Sequence, residues 1–179
     1  MSKTAFAVGA HPDDSEFMMA GTLSLLGRAG YQLHYMNVAD GCCGSTVYTR
    51  EQTARIRAKE GRAAAKLIGA AYHPSLVHDL EVFFENRTLK RLTAVMRKVN
   101  PQILLVMSPQ DYMEDHSNAC RLAVTAAFCL GMKNYLTVPA CKAVSADCTV
   151  YHALPYGLHD GLRRRVWAGQ YVDVSSVIH

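Results

Sequence analysis

No stretch of the sequence approaches the roughly 20 consecutive apolar residues that a bilayer-crossing helix needs. Its start, Met1-Ser2-Lys3-Thr4, leads straight into a short apolar segment, without the long apolar core and cleavage site of a secretory signal. The six cysteines (Cys42, Cys43, Cys120, Cys129, Cys141, Cys148) lack zinc-ribbon spacing and give no reason for pairing. A cytoplasmic protein without a membrane span is the expectation. Excess charge of one sign is also missing. The net charge is +4, and the only cationic cluster, Arg163-Arg164-Arg165, reads as a solvated turn without any nucleic-acid-binding signature, so no nucleic-acid partner is expected. The turn after the first apolar segment has no Gly-x-Gly-x-x-Gly, which argues against a dinucleotide-binding oxidoreductase. Repeats, linkers and low-complexity tracts are absent too.

What is present is a chain of 179 residues, half apolar and about a fifth charged. That length suits a single domain, residues 1 to 179, with a sizeable core. Short apolar runs alternate with amphipathic segments. Strands are expected over Thr4 to Ala10, Gln32 to Ala39, His73 to Leu80, Ile103 to Met107, Val150 to Leu154 and Tyr171 to Val174. Helices are expected from Ser15 to Gly30, Glu51 to Leu67, Thr88 to Val99 and Asp115 to about Leu130. Such alternation predicts an α/β fold, a Rossmann-like three-layer αβα arrangement with a mostly parallel sheet and right-handed crossovers.

In an open α/β sheet, ligands collect beyond the carboxyl ends of the strands. Two such places are acidic and carry a histidine: His11-Pro12-Asp13-Asp14 after the first strand, and Asp111 to His116 after the strand Ile103 to Met107. Either motif alone reads as a turn or a helix cap. Together they favour a metal site of two histidines and a carboxylate with an open fourth position. His11, Asp14 and His116 are the candidate ligands. Asp13 would then sit beside the ion, suited to take a proton from water that the metal acidifies. Asp115 could accept a hydrogen bond from a neighbour or cap its helix. The pattern leaves the metal and the reaction open, and phosphoester hydrolysis at a two-metal centre ranks behind for want of carboxylates near His11.

The run Ala10-His11-Pro12-Asp13-Asp14-Ser15-Glu16 resembles the signature of the LmbE/PIG-L family of zinc-dependent N-deacetylases. The resemblance covers most of the chain, including Arg57 and Glu60 as an Arg-x-x-Glu helix motif and Pro101 to Met107 ahead of the second motif. It implies a Rossmann-like fold, zinc held by His11, Asp14 and His116, Asp13 as general base, and a homo-oligomer acting on a small N-acetylglucosamine-like amino sugar. Iron or cobalt would accept the same ligands. Arg57 becomes a pocket residue, with Glu60 orienting it, so Asp13, Asp115 and Arg57 form the candidate catalytic set.

Two departures stand out. The family's second motif commonly reads His-x-Asp-His, and this chain has Met113-Glu114-Asp115-His116. The histidine position, linked in the family to oxyanion stabilisation or protonation of the leaving amine, carries a thioether that can do neither. Tyr112, Arg57, His152 and His159 are candidates to stand in. Relatives also usually continue past the equivalent of Ile178, and their later segment helps close the pocket. These departures keep open an alternative, a metal- and sugar-binding protein with a weakened hydrolytic site. The loop Gly41-Cys42-Cys43-Gly44 is expected to overhang the crevice, with thiols that pack rather than react because no cation is evident nearby. His34, His73 and His78 read as structural, and Asp79 and Glu81 as loop acids that could approach the pocket.

Overall fold

The computed structural model describes residues 3–144 and 147–177. The expectations attached to Met1, Ser2 and the end of the chain at Ile178 and His179 lie outside them. Five strands, β1 (Thr4–Gly9), β2 (Gln32–Asn37), β3 (Ala71–His73), β4 (Ile103–Val106) and β5 (Thr149–His152), form one sheet in the order β3-β2-β1-β4-β5. Every pairing is parallel. The central strand β1, Thr-Ala-Phe-Ala-Val-Gly, is buried along its whole length, as expected for a strand covered on both faces.

Five helices surround the sheet: α1 (Asp14–Met18), α2 (Ala20–Arg28), α3 (Arg50–Leu67), α4 (Asn86–Val99) and α5 (Glu114–Phe128). Helix α2 packs on β1 and β2, and α3 on β3, whereas α5 packs on β1 and β4 and α4 on α5. With right-handed crossovers, the opposite directions of travel from β1 put the two groups on opposite faces, completing the α/β/α layering. Helix α3 starts with a capping box between Thr49 and Gln52. Helix α4 turns Leu89, Leu92, Met96 and Val99 inward and ends on Asn100 in the left-handed region before Pro101. The buried Arg97 reaches out of α4 to donate to the carbonyl oxygens of Cys129 (2.9 Å), Met132 (2.7 Å) and Cys141 (2.9 Å). It thereby pins the chain that leaves α5.

Three expected elements differ. The helix expected from Ser15 to Gly30 is broken at Met19, whose φ of −131° separates α1 from α2. The strand expected over His73 to Leu80 is the shorter Ala71–His73, because the chain then leaves the sheet and touches it again only at a bridge between Ala39 and Val77. Tyr171 to Val174 is not a strand. Only Val174 packs on α2, closing over Gly21, while Tyr171 stays 82% exposed. The sheet is consequently wholly parallel.

Candidate metal centre

The strand order reverses direction between β1 and β4, which opens a crevice at their carboxyl ends. Both motifs are delivered there, one by each strand. Gly9 ends β1 where a Cβ would lie 2.4 Å from Asn37 Oδ1 and 3.2 Å from Asp14 Cβ, so only glycine lets the turn fold back so closely. Asp14 Oδ2 then accepts from the backbone N–H groups of Ala10 (3.1 Å) and His11 (2.7 Å). Its other oxygen, Oδ1, lies 3.4 Å from His116 Nε2, and His11 Nδ1 lies 3.6 Å from Asp14 Oδ2.

These separations are long for hydrogen bonds and suit atoms facing a common ion. Ligands around a tetrahedral zinc with bonds of about 2.0–2.1 Å lie roughly 3.3–3.5 Å apart. One donor atom from each of His11, Asp14 and His116 falls within 4.8 Å of the others. Asp14 and His116 are buried and His11 is half-buried. Two imidazoles and a carboxylate in so small a volume match the donor chemistry of a catalytic zinc or a similar divalent metal, and the residues fit the group.

The histidines are oriented from behind. His11 Nε2 lies 3.0 Å from Asp115 Oδ2, which also accepts from the backbone N–H of Leu80 at 2.8 Å. That partnership puts the proton on Nε2 and leaves Nδ1 for a cation. His116 Nδ1 and Asp111 Oδ2 lie 3.1 Å apart, both buried and neither in aligned hydrogen-bond geometry. Burial opposes a charge on His11, but the nearby carboxylates of Asp14, Asp115 and Asp79 outweigh it and push its pKa up to about 9. Burial likewise works to raise Asp14, yet His11 and His116 hold its carboxyl below the ordinary carboxylate range.

Asp13 stands apart from this donor set. Its backbone φ is 123°, a strained conformation for a non-glycine residue and of the kind that gathers at functional sites. Arg57 holds the side chain there. The guanidinium Nη2 donates to Asp13 Oδ2 at 2.6 Å and to the carbonyl of Pro12, while Nη1 donates to Glu60 Oε2 at 2.9 Å. Burial disfavours the Arg57 charge, and Asp13 and Glu60 more than restore it, so its pKa is raised. The Arg-x-x-Glu pair is therefore more than a surface ion pair, because it reaches across to the first motif. Glu16, one turn into α1, accepts from Tyr35 (2.8 Å), which in turn accepts from Asn37 Nδ2 (2.6 Å). Burial raises the Glu16 carboxyl.

Other expectations sort themselves by place. The loop at Gly41 does approach the crevice: a Cβ there would lie 3.1 Å from Pro12 Cδ and 3.2 Å from Arg57 Cγ, at a φ of +71°. The thiols do have a cation nearby, contrary to expectation. Arg50 Nε donates to Cys42 Sγ at 3.3 Å, a contact made across one turn from the start of α3. Asp79 proves central. Buried, it accepts from the N–H groups of Gly41 (3.0 Å) and Cys43 (2.8 Å) and lies 3.6 Å from His11 Nε2. Glu81 instead pairs with Arg50 at 2.7 Å. His34 and His73 bond to each other at 2.8 Å. Of the candidates to stand in for the histidine absent at Met113, Arg57 is committed to Asp13 and Pro12, and the exposed Tyr112 ring lies 6.4 Å from that of His116. His152 and His159 donate to the carbonyls of Met107 and Gly157. Among the described residues, none of these four takes the place of that histidine by a hydrogen bond to the donor set.

A family model described as PIG-L, GlcNAc-PI de-N-acetylase, matches residues 6–128, a span that contains both motifs and Arg57. The chain belongs to the PIG-L family. It is 29% identical over 141 residues to the 4-oxalmesaconate hydratase of Pseudomonas putida, covering 74% of this chain and 55% of the relative. It is 27% identical over 139 residues to the diacetylchitobiose deacetylase of Thermococcus kodakarensis, covering 74% and 52%. The chain thus spans about half the length of the curated relatives it matches. Among solved structures, the 4-carboxy-2-hydroxymuconate hydratase of Pseudomonas putida superposes with a TM-score of 0.84 at 27% identity, over 98% of this chain and 74% of the other. The expected α/β fold and family are both borne out. Among the described residues, no helix is long and apolar enough to cross a membrane.

Proposed function

We propose that this PIG-L protein is a metal-dependent amide hydrolase that removes the N-acetyl group from an N-acetylglucosamine-like amino sugar or a related conjugate. One observation carries the reading: a carboxylate, Asp13, held by Arg57 at the rim of a His11–Asp14–His116 donor set without belonging to it. A site that only stored a cation would have no use for a strained, separately anchored carboxylate beside it. Zinc, or another divalent transition metal, would supply a Lewis acid there that polarises an acyl carbonyl and acidifies water. Asp13 would accept the proton from that water as it attacks, and Arg57 would keep the carboxylate aimed. Asp115 is a positioning residue in this scheme, since it orients His11. After attack, the proton held on Asp13 is available to the departing amine. That return matters, because Met113 offers no proton of its own.

A second reading has its own support. Hydratase activity is the printed function of a Pseudomonas putida relative in sequence, and of a Pseudomonas putida structure that superposes over 98% of the chain. Addition of water to an unsaturated acid needs the same water-activating carboxylate and no leaving amine, so the absence of histidine at Met113 would cost it less. The test gives the zinc-reconstituted protein two sets of substrates, a panel of N-acetyl amino sugars and a set of conjugated unsaturated dicarboxylates. Acetate release supports the hydrolase, and loss of the conjugated absorbance with no acetate replaces it with the hydratase. Metal binding with neither reaction favours the metal- and sugar-binding alternative.

A further inference from the structure

On the far side of Asp79 from His11, two loops bring together a different set of donors. Asp40, Cys42 and His78 each present one ligand atom within 4.8 Å of the others. The Cys42 side chain is buried, and its backbone N–H donates to Asp40 Oδ1 at 3.1 Å. Asp40 Oδ2 lies 2.6 Å from His78 Nδ1. The exposed Cys43 places a second sulfur 3.9 Å from that of Cys42.

We propose that Asp40, Cys42 and His78 form a second binding site for a zinc-class divalent cation. Sulfur, imidazole and carboxylate together suit a borderline-soft ion, and solvent would take the fourth position of the tetrahedron. An exposed His78–Asp40 pair alone would be worth little, and would leave unexplained why the buried Cys42 sulfur lies with it. The Arg50 contact is compatible with occupancy: Arg50 also pairs with Glu81, so it can release the sulfur and keep its carboxylate partner. Asp79 is not counted as a ligand, because its carboxylate groups with the two cysteines and not with Asp40 and His78. It is instead the link between the sites. A cation held by Cys42 fixes the loop whose Gly41 packs against Pro12 and Arg57. Binding displaces the thiol proton of Cys42 to solvent, and no redox change is involved.

The probe is Co2+ added to the reduced full-length chain. The His11–Asp14–His116 set contains no sulfur, so a sulfur-to-cobalt charge-transfer band in the near ultraviolet reports the second site alone. The expected result is two bound equivalents, one of them carrying the band. Cys42→Ser should abolish the band and one equivalent. His78→Ala, at an exposed position, should weaken that equivalent about tenfold or more. His116→Ala should remove the other equivalent and leave the band in place, so the two sites stand or fall separately. A single equivalent with no band overturns the proposal, as does a band that survives unchanged in either Cys42→Ser or His78→Ala proteins of native circular dichroism.

Discussion

Arg57 and Asp13, forty-four positions apart, meet at 2.6 Å, and the contact joins helix α3 to the turn that carries two of the three proposed metal ligands. Asp13 occupies a strained backbone conformation at φ 123°, so its carboxylate direction depends on what holds it. Arg57→Ala is expected to lower turnover about 10–100-fold, the usual cost of a misplaced reacting group, while bound metal stays the same. Arg57→Lys should recover part of the loss, since it keeps one donor but not the fork. Steady-state acetate release together with metal analysis checks both.

Asp115 is expected to act through His11. Removing it takes away the acceptor that keeps the His11 proton on Nε2 and leaves the Leu80 N–H unpaired. Asp115→Ala should weaken metal binding about 10–100-fold, read by competition with a chelator. Full affinity in the variant would mean that His11 is oriented by other contacts.

In the metal-free protein the His11 pKa stands at about 9, above its ordinary value, so a cation must displace a proton from it. Metal affinity is expected to rise with pH, about tenfold per unit, and to level off near pH 9. A chelator titration repeated across that range gives the slope. A flat profile would show that His11 is not a ligand.

His34 and His73 predict a pH effect of opposite sign on folding. Burial, then the neighbouring His34 and Lys98, lower His73 to about 4, so the fold holds it neutral while the unfolded chain binds a proton below about 6.5. Stability from this group is complete above the unfolded value and is lost as pH falls through about 4. With allowance for solvent screening the effect is about 1–2 kcal/mol, or a Tm drop of about 2–8 °C. His73→Phe should remove that part of the Tm dependence on pH.

Arg97 is expected to be the most costly single polar residue to lose. Arg97→Met leaves the carbonyls of Cys129, Met132 and Cys141 without their donor, at a cost of about 3 kcal/mol or more. Thermal unfolding measures this directly.

The parts legible in the sequence are those that local chemistry determines. The runs around Ala5 and Leu104 have no polar residue to expose, and each leads directly into a motif, so strand, crevice and donor set could be read together. Arg57 was legible only through the family motif. Asp79, Asp111 and Arg50 look like ordinary loop and helix charges, and gain their roles from burial or from contacts that no spacing rule reports, such as those of Asp79 with Gly41 and His11. The His34–His73 pair depends on the parallel register that sets Met36 opposite His73. Tyr171 to Val174 shows the reverse failure: a strand-like run of residues joins no ladder and buries only part of Val174.

The most direct test of the account compares acetate release and metal content in zinc-loaded protein and in Asp13→Asn, a change that keeps the shape and tolerates the positive φ. The account predicts one retained metal at the His11–Asp14–His116 set and turnover reduced about 100–10,000-fold, the usual worth of a general base. Unchanged turnover in Asp13→Asn, or loss of that metal along with activity, would contradict it.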